Sequence, residues 1–227
     1  MAALRIVIAD DHPLFRDALR LAVSQTVVDG EIAEAASFDA LCERLRAAPD
    51  VDLVLLDLNM PGMNGLSGLL YLRAEFAAVP IVVVSANENP RVVRHALDLG
   101  AVGYIPKSAA AAEIRDAIGT LLAGGAWLPP ALDARPAGGE ADALPTLLNT
   151  LTPQQSRVLM LLSEGLANKQ IAHAMQVTEA TIKAHVSAIL HKLGVDNRTQ
   201  AVILARQLAA EVSEPAPGSA AEPNAAR

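Results

Sequence analysis

Val51-Asp52-Leu53-Val54-Leu55-Leu56-Asp57 is a short aliphatic run that stops on an acid. Leu4-Arg5-Ile6-Val7-Ile8-Ala9-Asp10-Asp11 has the same form and stops on two. Runs of Val, Ile and Leu without alternation suit strands buried on both faces. Glu31–Ala35, Ile81–Val84 and Val102–Ile105 add three more, the last marginal on its own. Amphipathic helical patterns fill the gaps at roughly 13–25, 38–48, 65–76, 90–99 and 110–123. Gly30, Pro49, Pro80 and Gly100 punctuate the junctions. Five strands alternating with five helices predict an α/β domain over 1–125, a doubly wound five-stranded parallel sheet.

In such sheets ligands bind at the carboxyl ends of the strands. Asp10, Asp11 and Asp57 fall on that edge. Three carboxylates together repel one another and need a cation, and oxygen-only ligands suit Mg²⁺. Ser85 follows the fourth run and Lys107 the fifth, so both join the same edge. Each residue type then has a task. Asp57 is the nucleophile, giving an aspartyl phosphate. Asp10 and Asp11 hold Mg²⁺ with Asp57, and Asn59 offers its backbone carbonyl. Lys107 pairs with one phosphoryl oxygen and Ser85 donates to another. Singly, each residue has a bland reading as a turn residue or a solvated charge. Their joint occurrence, in order, at four strand ends is far more specific.

The chain has 227 residues, 52% hydrophobic but only 3% aromatic, so its core must be aliphatic. Cys42 is the only cysteine, which excludes an internal disulfide and a cysteine-based zinc site. There is no leader pattern and no long uninterrupted apolar run, so a soluble, cytoplasmic protein without membrane attachment is expected. The net charge of −7 argues against nucleic acid until the chain is divided. Residues 1–125 carry ten Lys and Arg against sixteen Asp and Glu; residues 151–208 carry six against three. An acidic domain precedes a small basic one.

Gly124-Gly125, Pro129-Pro130, Pro136, Gly138-Gly139 and Pro145 mark a linker over 126–150. Residues 151–210 read as four helices, and the tail 211–227 is expected to be disordered. Thr152-Pro153 starts the first helix and Gly165 ends it; a second covers about 168–175. Thr178 caps a third that Gly194 stops, and the fourth covers about 197–210. The turn Met175-Gln176-Val177-Thr178 makes the second and third a helix-turn-helix. On helix 178–193, Ile182, Val186, Ile189 and Leu193 form the inward stripe. Lys183, Ala184, Ser187 and His191 face outward, and Lys183 is suited to a guanine edge or a phosphate. Lys169, Thr178, Thr181, His185 and Lys192 are candidate phosphate or sugar contacts. The modest basic charge alone leaves DNA binding about even with a plain interaction domain.

Two resemblances sharpen this. Ala9-Asp10-Asp11-His12, Leu56-Asp57-Leu58-Asn59-Met60-Pro61-Gly62-Met63-Asn64-Gly65, Val84-Ser85-Ala86 and Gly103-Tyr104-Ile105-Pro106-Lys107-Ser108 resemble the flavodoxin-like receiver domain of two-component response regulators. The resemblance implies phosphotransfer from a sensor histidine kinase, with at most slow autodephosphorylation and no turnover enzyme. It also implies a switch in which Ser85 moves toward the phosphoryl group and Tyr104 turns inward. Spacing alone favours a plainer Tyr104, half-buried with a wet hydroxyl. Ser108 stands where many receivers have a proline after the lysine.

Leu151-Thr152-Pro153, Gly165-Leu166-Ala167-Asn168-Lys169-Gln170-Ile171-Ala172, Thr181-Ile182-Lys183-Ala184-His185-Val186 and Lys192-Leu193-Gly194-Val195-Asp196-Asn197-Arg198-Thr199-Gln200-Ala201 resemble the LuxR-type helix-turn-helix. Gln155-Ser156 replaces the usual Arg-Glu, so an internal ion pair common in the family is expected to be absent. The combination resembles the NarL/FixJ class. It implies a transcriptional regulator that binds promoter DNA through helix 178–193, dimerises through the fourth helix when phosphorylated, and works with RNA polymerase. Phosphorylation is expected to release the recognition helix, promote dimerisation, or both. Two other readings compete: a Mg²⁺-dependent phosphatase or phosphotransferase, and a phosphorylation-independent interaction module. The first needs a second acid two residues after the nucleophile, where Asn59 stands; the second does not explain the complete acid-serine-lysine set.

Overall fold

The computed structural model describes residues 3–27, 29–129 and 143–213, the last seven as backbone only. The strands β1 (Arg5–Ala9), β2 (Glu31–Ala35), β3 (Leu53–Leu56), β4 (Ile81–Ser85) and β5 (Gly103–Pro106) form one parallel sheet, ordered β2-β1-β3-β4-β5. The helices α1 (Pro13–Thr26), α2 (Phe38–Ala47), α3 (Leu66–Glu75), α4 (Pro90–Asp98) and α5 (Ala111–Leu122) alternate with them. Every expected element of 1–125 is present, with ends within a residue or two of the pattern.

The two-residue period of a strand divides the core. Ile6, Ile8, Leu53, Leu55, Val82 and Val84 face one way, with Leu19 of α1 and Ile118 of α5. Val7, Val54, Leu56, Val83 and Tyr104 face the other, with α2, α3 and α4. Side-chain caps fix two helix starts: Ser37 Oγ accepts from Ala40 N at 3.3 Å and Asn89 Oδ1 from Arg91 N at 2.9 Å.

After α5 the chain returns to the sheet. Gly103 and Trp127 form a parallel bridge, and Tyr104 N donates to Trp127 O at 3.0 Å. Residues 130–142 of the expected linker lie outside the described residues. Its last part forms a short helix, α6 (Ala143–Leu148). Then come α7 (Pro153–Ser163), α8 (Asn168–Ala174), α9 (Glu179–Leu193) and α10 (Arg198–Ser213). The fourth helix of this domain therefore runs three residues past its expected end at 210. Residues 214–227, most of the expected disordered tail, lie outside the described residues.

The expected helix signals act as read. Thr152 and Gln155 form a reciprocal capping box before α7, and Gly194, at φ +65°, ends α9 in the left-handed conformation. Gly68 matters for a different reason. A Cβ there would strike the carbonyl oxygen of Met63 and come within 2.5 Å of its sulfur. Gly68→Ala is expected to destabilise the chain by about 1–3 kcal/mol, read as a lower urea midpoint.

Candidate functional site

Asp10 follows β1, Asp57 follows β3, Ser85 ends β4 and Lys107 follows β5. All four meet at the carboxyl edge of the sheet. Asp57 is 1% exposed and Asp10 is fully buried. Lys107 Nζ lies between them, 2.7 Å from Asp10 Oδ2 and 2.9 Å from Asp57 Oδ2. Asp57 Oδ1 accepts from Asn59 N at 3.1 Å, and Asp10 Oδ1 accepts from His12 N at 2.8 Å. Burial raises the Asp57 carboxyl above the usual carboxylate range, and nearby Asp10 adds to this. The Lys107 ammonium and the Asn59 N–H oppose the rise. Burial disfavours the Lys107 charge, but Asp10 and Asp57 outweigh it and leave the ammonium above its ordinary value.

The acids fit a hard cation. One ligand atom from each of Asp10, Asp11, His12 and Asp57 falls within 4.8 Å of the others. Asp10 Oδ2 and Asp11 Oδ1 are buried without a hydrogen bond, although Lys107 Nζ and His12 Nδ1 stand 2.7 and 2.8 Å away. Buried oxygens left in that state are suited to a metal ion.

Ser85 is fully buried, and its Oγ accepts from Asn87 N at 3.2 Å. Tyr104 is fully buried as well, and its hydroxyl donates to Asn87 O at 2.5 Å. The plainer reading of a half-exposed strand tyrosine therefore does not hold. The ring is already turned inward. Burial pushes its hydroxyl up to about 12, against a lowering contribution from Ser85. The peptide after Lys107 is trans, as every described peptide is.

Two neighbours were not among the expected site residues. His12 sits directly on the acidic pair, and Phe15 places its ring 4.8 Å from Lys107 Nζ. Both lie just beyond Asp10-Asp11, at the start of α1, which is the signal that would have found them. They line a cleft of about 460 Å³ that reaches Asp57, Asn59 and Lys107. Leu14, 87% exposed, stands at its mouth.

In the second domain, Ile182, Ile189 and Leu193 of α9 are buried and Val186 is half-buried, as the stripe requires. Lys183, Ala184, Ser187 and His191 are exposed, as are Lys169 and Thr178; Thr181 and His185 are half-buried. The Thr178 and Thr181 hydroxyls lie 2.8 Å apart, and Thr178 Oγ1 caps the helix by accepting from Thr181 N. Lys192 differs from the expectation of a free phosphate contact. Its Nζ donates to Thr150 O at 2.7 Å and to Gln155 Oε1 at 2.8 Å, inside its own domain. Lys192 and Gln155 thus meet as a lysine and a neutral amide, not as an ion pair.

The fold and site define a class: a receiver-type acid pocket on a doubly wound sheet, followed by a helix-turn-helix. Residues 6–119 match the response regulator receiver domain family, and residues 149–205 match the bacterial regulatory proteins of the luxR family. The chain belongs to the NarL/FixJ-type response regulators, phosphorylation-controlled DNA-binding regulators of transcription. It is 44% identical over 208 residues to the glycerol metabolism activator of Pseudomonas putida, covering 88% of this chain and 94% of that one. It is 35% identical over 210 residues to the nitrate/nitrite response regulator NarL of Escherichia coli K12, covering 89% and 94%. RcsB from Salmonella enterica serovar Typhimurium, solved on a promoter with a phosphomimetic, aligns with a TM-score of 0.55 and 26% identity over 93% and 100% of the two chains. These families are not enzyme families, and a receiver implies a histidine kinase as partner. Among the described residues, no helix is long and apolar enough to cross a membrane.

Proposed function

We propose that Asp57 is the phosphoacceptor. The observation that carries this is the buried Asp57 carboxylate, paired with Lys107 Nζ at 2.9 Å and open to a cleft beside two further acids. A carboxylate oxygen of Asp57 attacks the phosphorus of a phosphohistidine on the sensor kinase. The P–N bond breaks, the imidazole leaves, and Asp57 keeps the phosphoryl group. Asp10, Asp11, Asp57 and the Asn59 carbonyl would hold Mg²⁺, which offsets charge on the incoming phosphoryl group. Lys107 exchanges a carboxylate partner for a phosphoryl oxygen, and Ser85 donates to a second. Water hydrolyses the aspartyl phosphate slowly, so the state lasts long enough to signal. Radiolabel transfer from a small phosphodonor, with and without Mg²⁺, tests this; labelling that ignores Mg²⁺ or survives loss of Asp57 contradicts it.

The phosphorylated chain acts in the cytoplasm as a homodimer on promoter DNA and engages RNA polymerase there. Residues 1–125 receive the signal, 126–150 connect and 151–210 bind DNA. Structures of RcsB dimers on DNA support the dimer, and the Pseudomonas putida relative, an activator by name, supports activation. Lys183 and the short Ala184 and Ser187 present the base-reading face, with Lys169, Thr178, Thr181 and His185 toward the backbone. Lys192 is positioned to brace α9 against α7 rather than to reach a phosphate. Lys183 Nζ lies 3.3 Å from Glu179 Oε1, an exposed pair that costs little to open. Lys183→Ala is expected to weaken promoter binding by about 1–3 kcal/mol, measured by fluorescence anisotropy. Relaxed preference at one base pair identifies a base contact, and a uniform loss with a shallower salt slope identifies a phosphate contact. Unchanged affinity removes Lys183 from the interface.

A further inference from the structure

Asp10-Asp11-His12-Pro13 builds more than a pair of acids. Pro13 opens α1, and a residue before proline is held out of the helical region. His12 accordingly has φ −87° and ψ 107°. Its N–H turns back on Asp10 Oδ1 at 2.8 Å, an Asx turn that sets the imidazole over both acids. The side chain makes no cap bond to α1 and is 66% exposed. Neither capping nor burial explains where it points.

The contact with Asp11 has the form of a chelate rather than of a hydrogen bond. His12 Nδ1 lies 2.8 Å from Asp11 Oδ1 and 3.5 Å from Asp10 Oδ1. Asp11 Oδ1 is buried yet accepts no hydrogen bond, so it stands beside the axis along which Nδ1 would donate, not on it. In the neutral imidazole that axis can carry a lone pair instead. Two ligand atoms at right angles on an ion, each with a bond of about 2.1 Å, stand roughly 2.9 Å apart. The Nδ1–Oδ1 separation matches that edge. A carboxylate oxygen of Asp57 joins them within 4.8 Å. The cleft of about 460 Å³ that reaches His12, Asp57 and Asn59 gives an ion its path in.

We propose that His12 Nδ1 is a metal ligand beside Asp11 and Asp57, and that it biases the pocket from Mg²⁺ toward a first-row transition-metal dication. The proposal rests on the reading of Asp10, Asp11 and Asp57 as the acids that hold the metal at the phosphoacceptor. Charge agrees with it. The three carboxylates and the Lys107 ammonium leave a net charge that a divalent ion cancels. A neutral nitrogen then completes the donor set without a fourth negative charge. Mg²⁺ favours oxygen donors and gives up water reluctantly. Nitrogen donors favour the transition ions, with Mn²⁺ lowest in their order of affinity. A nitrogen effect seen with Mn²⁺ is therefore a lower bound for the ions above it.

The test uses the full-length, unphosphorylated chain as wild type and as His12→Ala. The substitution falls on an exposed side chain with no cap bond, so the fold is expected to stand. Electron paramagnetic resonance counts free Mn²⁺, and Mg²⁺ is measured by its competition with Mn²⁺. Pulsed electron paramagnetic resonance on the bound Mn²⁺ detects the nitrogen of a directly coordinated imidazole. Wild type is expected to show that nitrogen and His12→Ala to lose it. The substitution is expected to weaken Mn²⁺ on the order of ten-fold and Mg²⁺ by less than about two-fold. Wild type without the nitrogen signal, a signal that survives His12→Ala, or equal weakening of both ions overturns the ligand role. Mn²⁺ bound without nitrogen strikes His12 alone and leaves the acids as the metal site. Failure of wild type to bind either ion strikes the acid site itself, and the proposal with it.

Discussion

Asp57→Ala is expected to take up no phosphoryl group from a small phosphodonor or a kinase, and to lose every phosphorylation-dependent gain in dimer mass and DNA affinity. The effect is all-or-none because no other carboxylate among the described residues has the same setting. Asp10 is fully buried with Lys107 Nζ at 2.7 Å, while Asp57 opens to the cleft that also reaches Asn59. The variant is not expected to be less stable than wild type. It removes a buried carboxylate whose charged form is disfavoured by burial and by Asp10, and it leaves Lys107 with a partner. Loss of labelling in a chain with an unchanged urea midpoint therefore separates chemistry from misfolding. The raised Asp57 value gives a second signature. The nucleophile must be ionised, so labelling of wild type at limiting Mg²⁺ is expected to fall on acidification before a free carboxylate would protonate. Phosphate stably incorporated into Asp57→Ala sinks the assignment.

Lys107→Met is expected to have the largest effect on stability. The ammonium is 15% exposed and the two carboxylates it joins are each 1% exposed. Removing one partner of a buried ion pair leaves charge without compensation, at a cost of about 3–5 kcal/mol. The sign of the pH response follows. Asp57 already has a folded value above its unfolded one, and losing Lys107 removes two of the influences that lower it. The folded variant then binds more protons than the unfolded chain between those two values. Its stability accordingly falls as pH rises through that window and recovers on acidification. Mg²⁺ is expected to restore part of the loss at neutral pH, because a cation again sits among the acids. Urea unfolding at neutral and mildly acidic pH, with and without Mg²⁺, reads all three outcomes. A variant as stable as wild type without Mg²⁺ would falsify the structural role given to Lys107.

The sheet was legible because Leu53–Leu56 and Ile81–Val84 are uninterrupted aliphatic runs and Ile6–Ala9 is a third, whereas Glu31–Ala35 and Val102–Ile105 were readable only from their alternation with helices. Asp10, Asp11, Asp57, Ser85 and Lys107 could be placed on one edge because strand ends in a parallel sheet share an edge whatever the loops do. Tyr104 shows the limit of such reasoning. Its position on β5 was readable, but its inward rotamer depends on the Asn87 carbonyl, which belongs to another loop. Lys192 shows it again. A lysine in the last turn of a basic helix reads as a DNA contact until Thr150 O and Gln155 Oε1 come within reach. The partner of α3 was hidden for a related reason. The segment 65–76 reads as amphipathic, yet Leu66 to Leu72 are all buried because α7 packs on α3, and nothing local names α7 as the cover.

That mutual cover has a practical consequence for modularity. Receiver and DNA-binding domain are separable in sequence, and a cut through 130–142 breaks neither sheet nor helix-turn-helix. Each half would nevertheless carry away one wall of a shared apolar core, Leu69 to Leu72 on one side and Val158 to Leu162 on the other. Exposed patches of this kind drive association and aggregation. Chimeras that exchange one half for a relative's must transplant both helices together, or recast their outer faces as polar.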